Sequence, residues 1–268
     1  MTMHRPRFED FTVPSLPAGV KFLVSTPIRN QHNLFLFARR SAGNAMTGKV
    51  LSITTLKGGS GKSTIAASLA VHWHLNGKRV VGVDADPQRT LTRLGARGHG
   101  LGGIEIIEDD SENVSTTVRD LARDHDWVVV DTAGFRNRTM IEALAAADFA
   151  ILPIKPSPLD FDAAADTVAL IFEVNETEER AGQALPFALC LTQTTRDSVV
   201  ARHMRGELAA AHYPLLDSEL VNRVIYGEAA LSGATPNLIQ PEGIAAREIS
   251  AMALELERIV GVKKQRRK

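Results

Sequence analysis

From Lys49 onward the chain alternates between short apolar runs and longer segments in which apolar residues recur every three or four positions. The short runs are typical of buried strands and the longer segments of amphipathic helices. Alternation of this kind predicts a doubly wound α/β fold, a mostly parallel sheet with helices on both faces. The predicted strands are 50–54, 80–83, 104–107, 127–130, 149–154 and 187–191, and the predicted helices are 62–76, 113–124, 137–147, 160–175, 197–211 and 244–260.

The beginning of the chain lacks this alternation. Four prolines fall within the first 27 residues, and one apolar patch covers 34–38. We predict a poorly patterned N-terminal extension over 1–46, one domain over 47–262 and a basic C-terminal tail over 263–268. Two interpretations of the extension remain open: an appendage ahead of a true start near Met46, or a genuine N-terminal arm.

A glycine-rich segment follows the first predicted strand and opens the first predicted helix. Glycines allow successive backbone N–H groups to point at phosphate oxygens, and the helix N-terminus adds the positive end of its dipole. In such a loop Lys62 would reach the β- and γ-phosphates, and the Ser63 hydroxyl would bind Mg²⁺. A flexible turn without a ligand is the alternative. The predicted phosphate-binding residues are Lys57, Gly58, Gly59, Ser60, Gly61, Lys62, Ser63 and Thr64.

Carboxylates follow two more of the predicted strands. Asp84 and Asp86 end one strand, and Asp131 ends another in the Walker B pattern, in which the carboxylate holds Mg²⁺, usually through water. The carboxyl ends of parallel strands form the ligand-binding edge of an open sheet. Residue chemistry alone leaves open which member of the first pair positions water and which supports the metal. Gly134 would give backbone access to the γ-phosphate.

A lysine precedes the glycines, where the ordinary phosphate loop differs. The ordinary motif has glycine at position 56, whereas this chain has Leu56 followed by Lys57. The variant K-G-G-x-G-K-[ST] resembles the deviant Walker A box of the ParA/MinD family of dimerising ATPases, and the small partition ATPases are the most similar. The resemblance, which covers about 49–260, implies that Lys57 crosses a dimer interface to the partner's nucleotide. It also implies that Asp86 positions the attacking water and that Asp84 supports the Mg²⁺ shell, so the predicted catalytic residues are Lys57, Lys62 and Asp86.

Two later segments extend this resemblance. Residues 151–160 are similar to the P-I-x-P-S-x-x-D stretch that lies near nucleotide and dimer interface in partition ATPases, which implies an ATP contact by Pro156. Gln193 ends a predicted strand at which the family places base contacts, in a position where relatives often carry Asn. The sequence has no N-K-x-D box for guanine, which favours ATP. We therefore predict ATP and Mg²⁺ as cofactors.

Charge and cysteine content limit the partners and the function classes to be expected. The 31 Lys and Arg balance the 31 Asp and Glu, so net charge gives no reason to expect a polyanion. However, the tail over 263–268 carries five cations in six residues, which indicates either a solvated terminus or attraction to a phosphate backbone. No apolar residue follows Val262, which argues against a lipid surface. The resemblance places a DNA-binding surface in the C-terminal region, and the candidates are Arg196, Arg202, Arg205, Arg223, Arg247, Lys263, Lys264, Arg266, Arg267 and Lys268.

Cys190 is the single cysteine, which excludes the family branch that bridges an iron–sulfur cluster with two cysteines per chain and fits a reducing cytoplasm. The expected function is that of a ParA-like partition ATPase, cytoplasmic and nucleoid-associated. The expected partners are a second copy in an ATP-dependent homodimer, nonspecific DNA, and a ParB-like or cargo adaptor protein that stimulates slow hydrolysis, with no membrane. The alternatives are a membrane-surface positioning ATPase like MinD and a metabolic phosphate-loop enzyme that acts through an acyl phosphate.

One further glycine pattern, over 98–103, matches G-x-G-x-x-G literally. A dinucleotide site needs a strand before this pattern and a helix after it, whereas here a predicted strand follows. We therefore predict a mobile loop.

Overall fold

The computed structural model describes residues 48–180 and 182–261, in which strands and helices alternate as the sequence predicts. The predicted extension over 1–46 and the tail over 263–268 lie outside the described residues. The strands are β1 (Lys49–Ile53), β2 (Val80–Ala85), β3 (Glu105–Glu108), β4 (Trp127–Thr132), β5 (Phe149–Ile154), β6 (Phe187–Thr194) and β7 (Leu220–Val221). The helices are α1 (Lys62–Leu75), α2 (Thr90–Gly95), α3 (Val114–Asp124), α4 (Arg138–Ala146), α5 (Pro158–Asn175), α6 (Val199–Ala210), α7 (Val224–Leu231), α8 (Pro236–Ile239) and α9 (Ile244–Ile259).

The seven strands form one sheet in the order β3-β2-β4-β1-β5-β6-β7, and each pairing is parallel. The predicted doubly wound fold is thereby confirmed. β1 lies in the middle, between β4 and β5, so the loops that follow these three strands leave the same edge of the sheet. Asp84 and Asp131 are register partners on β2 and β4, which places two of the predicted carboxylates side by side.

The central strands are buried on both faces, which explains why they read as apolar runs rather than as alternating patterns. Along β1, Val50 belongs to the core under α3, α4 and α5, whereas Leu51 and Ile53 belong to the core under α1 and α9. On the second face Trp73 of α1 stacks on Trp127 of β4 with ring centroids 3.8 Å apart and planes 5° apart. This stack fixes α1, the helix that carries the phosphate loop at its N-terminus, against the sheet.

The structure differs from the predicted elements where segments are short. Strand β7 has two residues and α2, α7 and α8 have four to eight, too few for a periodic pattern. Helix α5 begins at Pro158 rather than 160, because the Ser157 side chain accepts a hydrogen bond from the Asp160 N–H and caps the helix. The segment predicted as a mobile loop contains a short 3₁₀ turn over Gly100–Gly103, in which Leu101 is buried.

Candidate nucleotide site

The phosphate loop adopts a backbone that requires glycine at two positions. Gly59 and Gly61 have φ angles of 74° and 99°, in the left-handed region that side chains rarely occupy. Strand β6 stabilises the loop through two side-chain hydrogen bonds. The Thr192 hydroxyl donates to the Ser60 carbonyl at 2.8 Å, and the Gln193 amide donates to the Gly59 carbonyl at 3.0 Å. Two loop carbonyls are therefore engaged by β6. Gln193, predicted as an ATP contact, is placed beside the phosphate loop.

Lys62 lies inside this loop with only 6% of its surface exposed. Its ammonium donates to the Lys57 carbonyl at 3.0 Å. Burial lowers the pKa of Lys62, and the nearby Asp131 and Asp86 carboxylates partly oppose that shift. A buried ammonium at the start of a helix is well placed to bind the phosphates that the sequence predicts for this loop.

Asp131 at the end of β4 is fully buried. Within the described part of the chain, neither of its carboxylate oxygens has a hydrogen-bond partner in bonding geometry. Burial raises the pKa of Asp131 to about 7, and the neighbouring Ser63 hydroxyl offsets part of that rise. An unsatisfied carboxylate beside a hydroxyl matches the oxygen ligands that Mg²⁺ prefers, so the residues present fit the predicted metal.

The described residues contain no group of three His, Cys, Asp or Glu side chains arranged to hold a metal ion by themselves. In nucleotide sites, Mg²⁺ is usually held by one or two protein groups, while phosphate oxygens and water provide the other ligands. Asp131 and Ser63 are the protein groups that fit this description.

The two carboxylates after β2 have different partners. Asp84 is buried, and its two oxygens accept hydrogen bonds from the Thr92 N–H at 2.8 Å and the Asp86 N–H at 3.3 Å. Burial raises the pKa of Asp84, and the hydrogen bonds from Thr92 oppose the rise. Asp86 is half-buried and accepts one hydrogen bond, from the Gln88 N–H at 2.9 Å. Asp86 is therefore the more accessible of the two carboxylates, and the roles of Asp86 in orienting a water molecule and of Asp84 in supporting the metal site stay predictions.

Lys57 is directed away from Lys62, toward α5. Its ammonium lies 2.6 Å from an oxygen of Asp160, and the Ser157 hydroxyl donates to that same oxygen at 2.5 Å. The Lys57 side chain is 31% exposed, whereas that of Asp160 is 5% exposed. Asp160 and Ser157 belong to the P-S-x-x-D stretch within 151–160, from which only Pro156 is predicted as a site residue. The signal that identifies them is the serine cap of α5, which fixes the carboxylate opposite the lysine.

Gly134, in the loop after β4, packs directly on the phosphate loop. A β-carbon at Gly134 would lie 2.9 Å from the Gly58 nitrogen, 3.0 Å from its α-carbon and 3.1 Å from the Lys57 carbonyl carbon. Real β-carbons do not approach backbone so closely, so only glycine allows the two loops to touch. We call residues 57–59 the loop head; two of them, Lys57 and Gly58, contact Gly134, the residue predicted to give backbone access to the γ-phosphate.

A family model matches the part of the chain that contains all of the site residues described above. Residues 51–262 match the model of the CobQ/CobB/MinD/ParA nucleotide binding domain. The chain belongs to this family. Within the family it is of the ParA/MinD type, the positioning ATPases, as the sequence analysis predicted. The fold described above is that of a family member.

Individual relatives agree with this assignment. The maintenance of carboxysome distribution protein A of Halothiobacillus neapolitanus is 29% identical over 210 residues, which cover 77% of this chain and 95% of that protein. A solved complex of Cyanothece McdA with ATP aligns with a TM-score of 0.65 and 15% identity, over 83% of this chain and 100% of the other. MinD of Pyrococcus horikoshii, solved with Mg-ADP, aligns with a TM-score of 0.64 and 20% identity, over 81% and 99%. These solved structures show that the fold is shared, and ATP and Mg²⁺ are cofactors of this family.

The predicted DNA-binding arginines of this family member fall into two groups. Arg205 donates to Glu219 at 2.8 Å, and the Arg223 guanidinium donates to both oxygens of Glu248. Arg196, Arg202 and Arg247 are exposed, and Arg196 has only a loose ion pair of 3.9 Å with the neighbouring Asp197. The exposed group therefore has side chains available for a polyanion, whereas the paired group is committed within the fold. The five cations of the tail lie outside the described residues.

The buried Asp131 predicts a pH dependence of stability. Its pKa rises on folding from an ordinary value of 3.8 to about 7, so the folded state holds this proton more tightly and loses relative stability as pH increases from about 4 to about 7. Asp131→Asn removes the effect. Without nucleotide and with a metal chelator, the variant should gain unfolding free energy over the wild type across this range, by on the order of 4 kcal/mol in total. Denaturant unfolding at a series of pH values measures this difference, and a difference that does not vary with pH would contradict the prediction.

Proposed function

We propose that this chain is a ParA-type partition ATPase: a protein that dimerises with ATP, binds DNA without sequence preference and positions a cellular cargo. A partner protein, such as a ParB-like or cargo adaptor, stimulates its slow hydrolysis and returns it to a DNA-free state. One observation carries the proposal. Lys62 already occupies the phosphate loop, and a second lysine, Lys57, lies at its head, held by Asp160 at 2.6 Å.

Each of the site residues has a separate role in the proposed hydrolysis. Bound Mg·ATP supplies a phosphoryl group for transfer to water. Lys62 would bind the phosphates, Asp131 and Ser63 would hold the metal, and Asp86 would orient the attacking water. Lys57 leaves Asp160 and reaches the partner's nucleotide, where a cation supplied across the interface stabilises charge in the transition state.

Exposed apolar residues beside the site support a face-to-face dimer. Phe135 follows Gly134 directly and is 52% exposed, and Leu159 adjoins Asp160 and is 72% exposed. Large apolar side chains at such positions favour burial against another surface. A second copy that meets this face would cover both residues and bring each Lys57 toward the opposite phosphate loop.

The test is DNA binding measured with a non-hydrolysable ATP analogue, with ADP and without nucleotide, using duplexes of unrelated sequence. We expect tight, sequence-independent binding with the analogue only. Equal binding in all three conditions would contradict an ATP-controlled dimer. Binding to anionic vesicles instead of DNA would favour the MinD-like alternative, and ADP release that depends on a small molecule, with no DNA effect, would favour the metabolic alternative. Among the described residues no helix is long and apolar enough to span a membrane.

Salt dependence identifies the DNA-contacting cations. Deleting 263–268 should reduce the slope of log affinity against log salt by up to about 4 units, because each phosphate contact contributes about 0.9. Arg202→Gln should reduce it by about 1, whereas Arg223→Gln, whose guanidinium is engaged with Glu248, should leave it unchanged. If the deletion variant has the same slope of log affinity against log salt as the full-length chain, the tail is only a solvated terminus.

A further inference from the structure

Lys155 lies over the phosphate loop, although no motif of the loop includes it. It follows β5, which pairs with β1, so its side chain and the phosphate loop emerge from neighbouring strands at the same edge of the sheet. The Lys155 ammonium lies 3.7 Å from the position that a β-carbon on Gly59 would take. Gly59 is also the residue whose carbonyl the Gln193 amide holds from β6. Lys155 is therefore placed at the loop head.

The charges around the loop head are unequally compensated. Lys57 has its ion pair with Asp160, and Lys62 has the Asp131 and Asp86 carboxylates nearby. Lys155 is half-buried, yet in the described ranges no carboxylate lies within the 4.0 Å of an ion pair with it. Ammonium groups gathered at one loop repel one another, and an anion between them would reverse that energy.

The position of the loop head indicates which phosphate of a bound nucleotide it would face. Lys62 and Ser63 lie at the helix N-terminus, where the loop would reach the metal and the β- and γ-phosphates. Lys57 and Gly58 of the loop head contact Gly134, the residue predicted to give backbone access to the γ-phosphate. An ammonium over Gly59, the next residue of the loop head, would therefore lie near the terminal phosphate of a bound nucleotide.

We infer that Lys155 is a third phosphate-binding lysine, which contacts the terminal phosphate of ATP bound in its own protomer and so favours ATP over ADP. The inference deepens the proposed function, on which it rests, by adding a specificity-determining residue to the same site. Lys57 serves the partner's nucleotide, whereas Lys155 serves the nucleotide of its own chain.

The test compares Lys155→Met with Lys78→Met by calorimetric titration of a non-hydrolysable ATP analogue and of ADP, each with Mg²⁺. Methionine keeps the length of the side chain and removes its charge. Lys78 is also half-buried but precedes β2, at the opposite edge of the sheet. We expect Lys155→Met to weaken binding of the analogue about tenfold and of ADP less than about threefold, and Lys78→Met to change neither. Equal losses for the two nucleotides, or none relative to Lys78→Met, would overturn the inference.

The same titration in a Lys57→Ala background separates action within a protomer from action across a dimer. If Lys155 acts within its own protomer, the selective loss of analogue binding persists when Lys57 is absent. A loss seen only with Lys57 present would overturn that assignment. Failure of the proposed function has a different signature: the wild type would bind the analogue in preference to ADP, and Lys155→Met would still remove that preference, but the analogue would produce neither dimers nor DNA binding.

Discussion

Lys57→Ala is expected to bind Mg·ATP within about threefold of the wild-type affinity while its hydrolysis rate falls by about 10³-fold, the effect of removing a cation supplied across an interface. Binding survives because Lys62, not Lys57, lies inside the phosphate loop. Hydrolysis falls because Lys57 is the residue placed to leave its own protomer: its side chain is 31% exposed, and its ammonium is paired with Asp160, which also accepts a hydrogen bond from the Ser157 hydroxyl. Dimerisation with ATP should be lost together with hydrolysis.

The measurements are ATP turnover, nucleotide titration and the ATP-dependent change in mass by light scattering. Lys49→Ala is the matched control, since Lys49 is a half-buried lysine at the first position of β1, at the far edge of the sheet. Full turnover in Lys57→Ala would refute the role of Lys57 across the interface. Loss of binding in parallel with turnover would instead place Lys57 among the phosphate contacts of its own protomer.

Gly134→Ala should weaken Mg·ATP binding by about 10- to 100-fold, which corresponds to an overpacking cost of about 1–3 kcal/mol. The added β-carbon would meet backbone atoms of Gly58 and Lys57 at 2.9–3.1 Å, and backbone cannot rotate away as a flexible side chain can. Either the loop head or the segment after β4 must shift, and both contribute to the predicted phosphate site. Turnover should fall at least as much as affinity.

Gly206→Ala provides the matched control for this substitution. Gly206 lies within α6, and among the described residues no atom outside its chain neighbours and the backbone of its own helix would come within 4 Å of its β-carbon. The change should leave nucleotide binding intact and stabilise the fold by about 0.5–1 kcal/mol, because alanine favours a helix. Titration and thermal unfolding of the two variants separate a local clash from a general effect of the added methyl group. Normal nucleotide binding by Gly134→Ala would show that the loop head is not held by the segment after β4.

The sequence predicted the fold where burial imposes a pattern that can be read locally. The central strands are apolar throughout because both faces are covered, and α9 carries its core residues at helical spacing. Strand β7 could not be predicted, since two residues show no period and its pairing with β6 depends on the tertiary fold. The start of α5 was misplaced by two residues, although Ser157 and Pro158 are ordinary signals of a helix start.

The site was predictable as far as it consists of motifs. The phosphate loop and Asp131 lie within contiguous patterns, so residue spacing alone identifies them. The partner of Lys57 does not, because Asp160 is 103 residues away and is brought near by the neighbouring positions of β1 and β5. The proximity of Lys155 to Gly59 has the same origin. Contacts of this kind follow from strand order, which no local pattern encodes.

The stacked indoles of Trp73 and Trp127 provide an intrinsic fluorescence probe of this protein. They are the only two tryptophans in the sequence, so the tryptophan fluorescence of the chain originates from one buried ring stack between α1 and β4. The amino end of α1 forms the phosphate loop, and the carboxyl end of β4 provides Asp131. Movement of α1 relative to β4 should therefore change the intrinsic tryptophan fluorescence, without an added label. These are the two elements that carry the phosphate loop and Asp131 of the predicted nucleotide site.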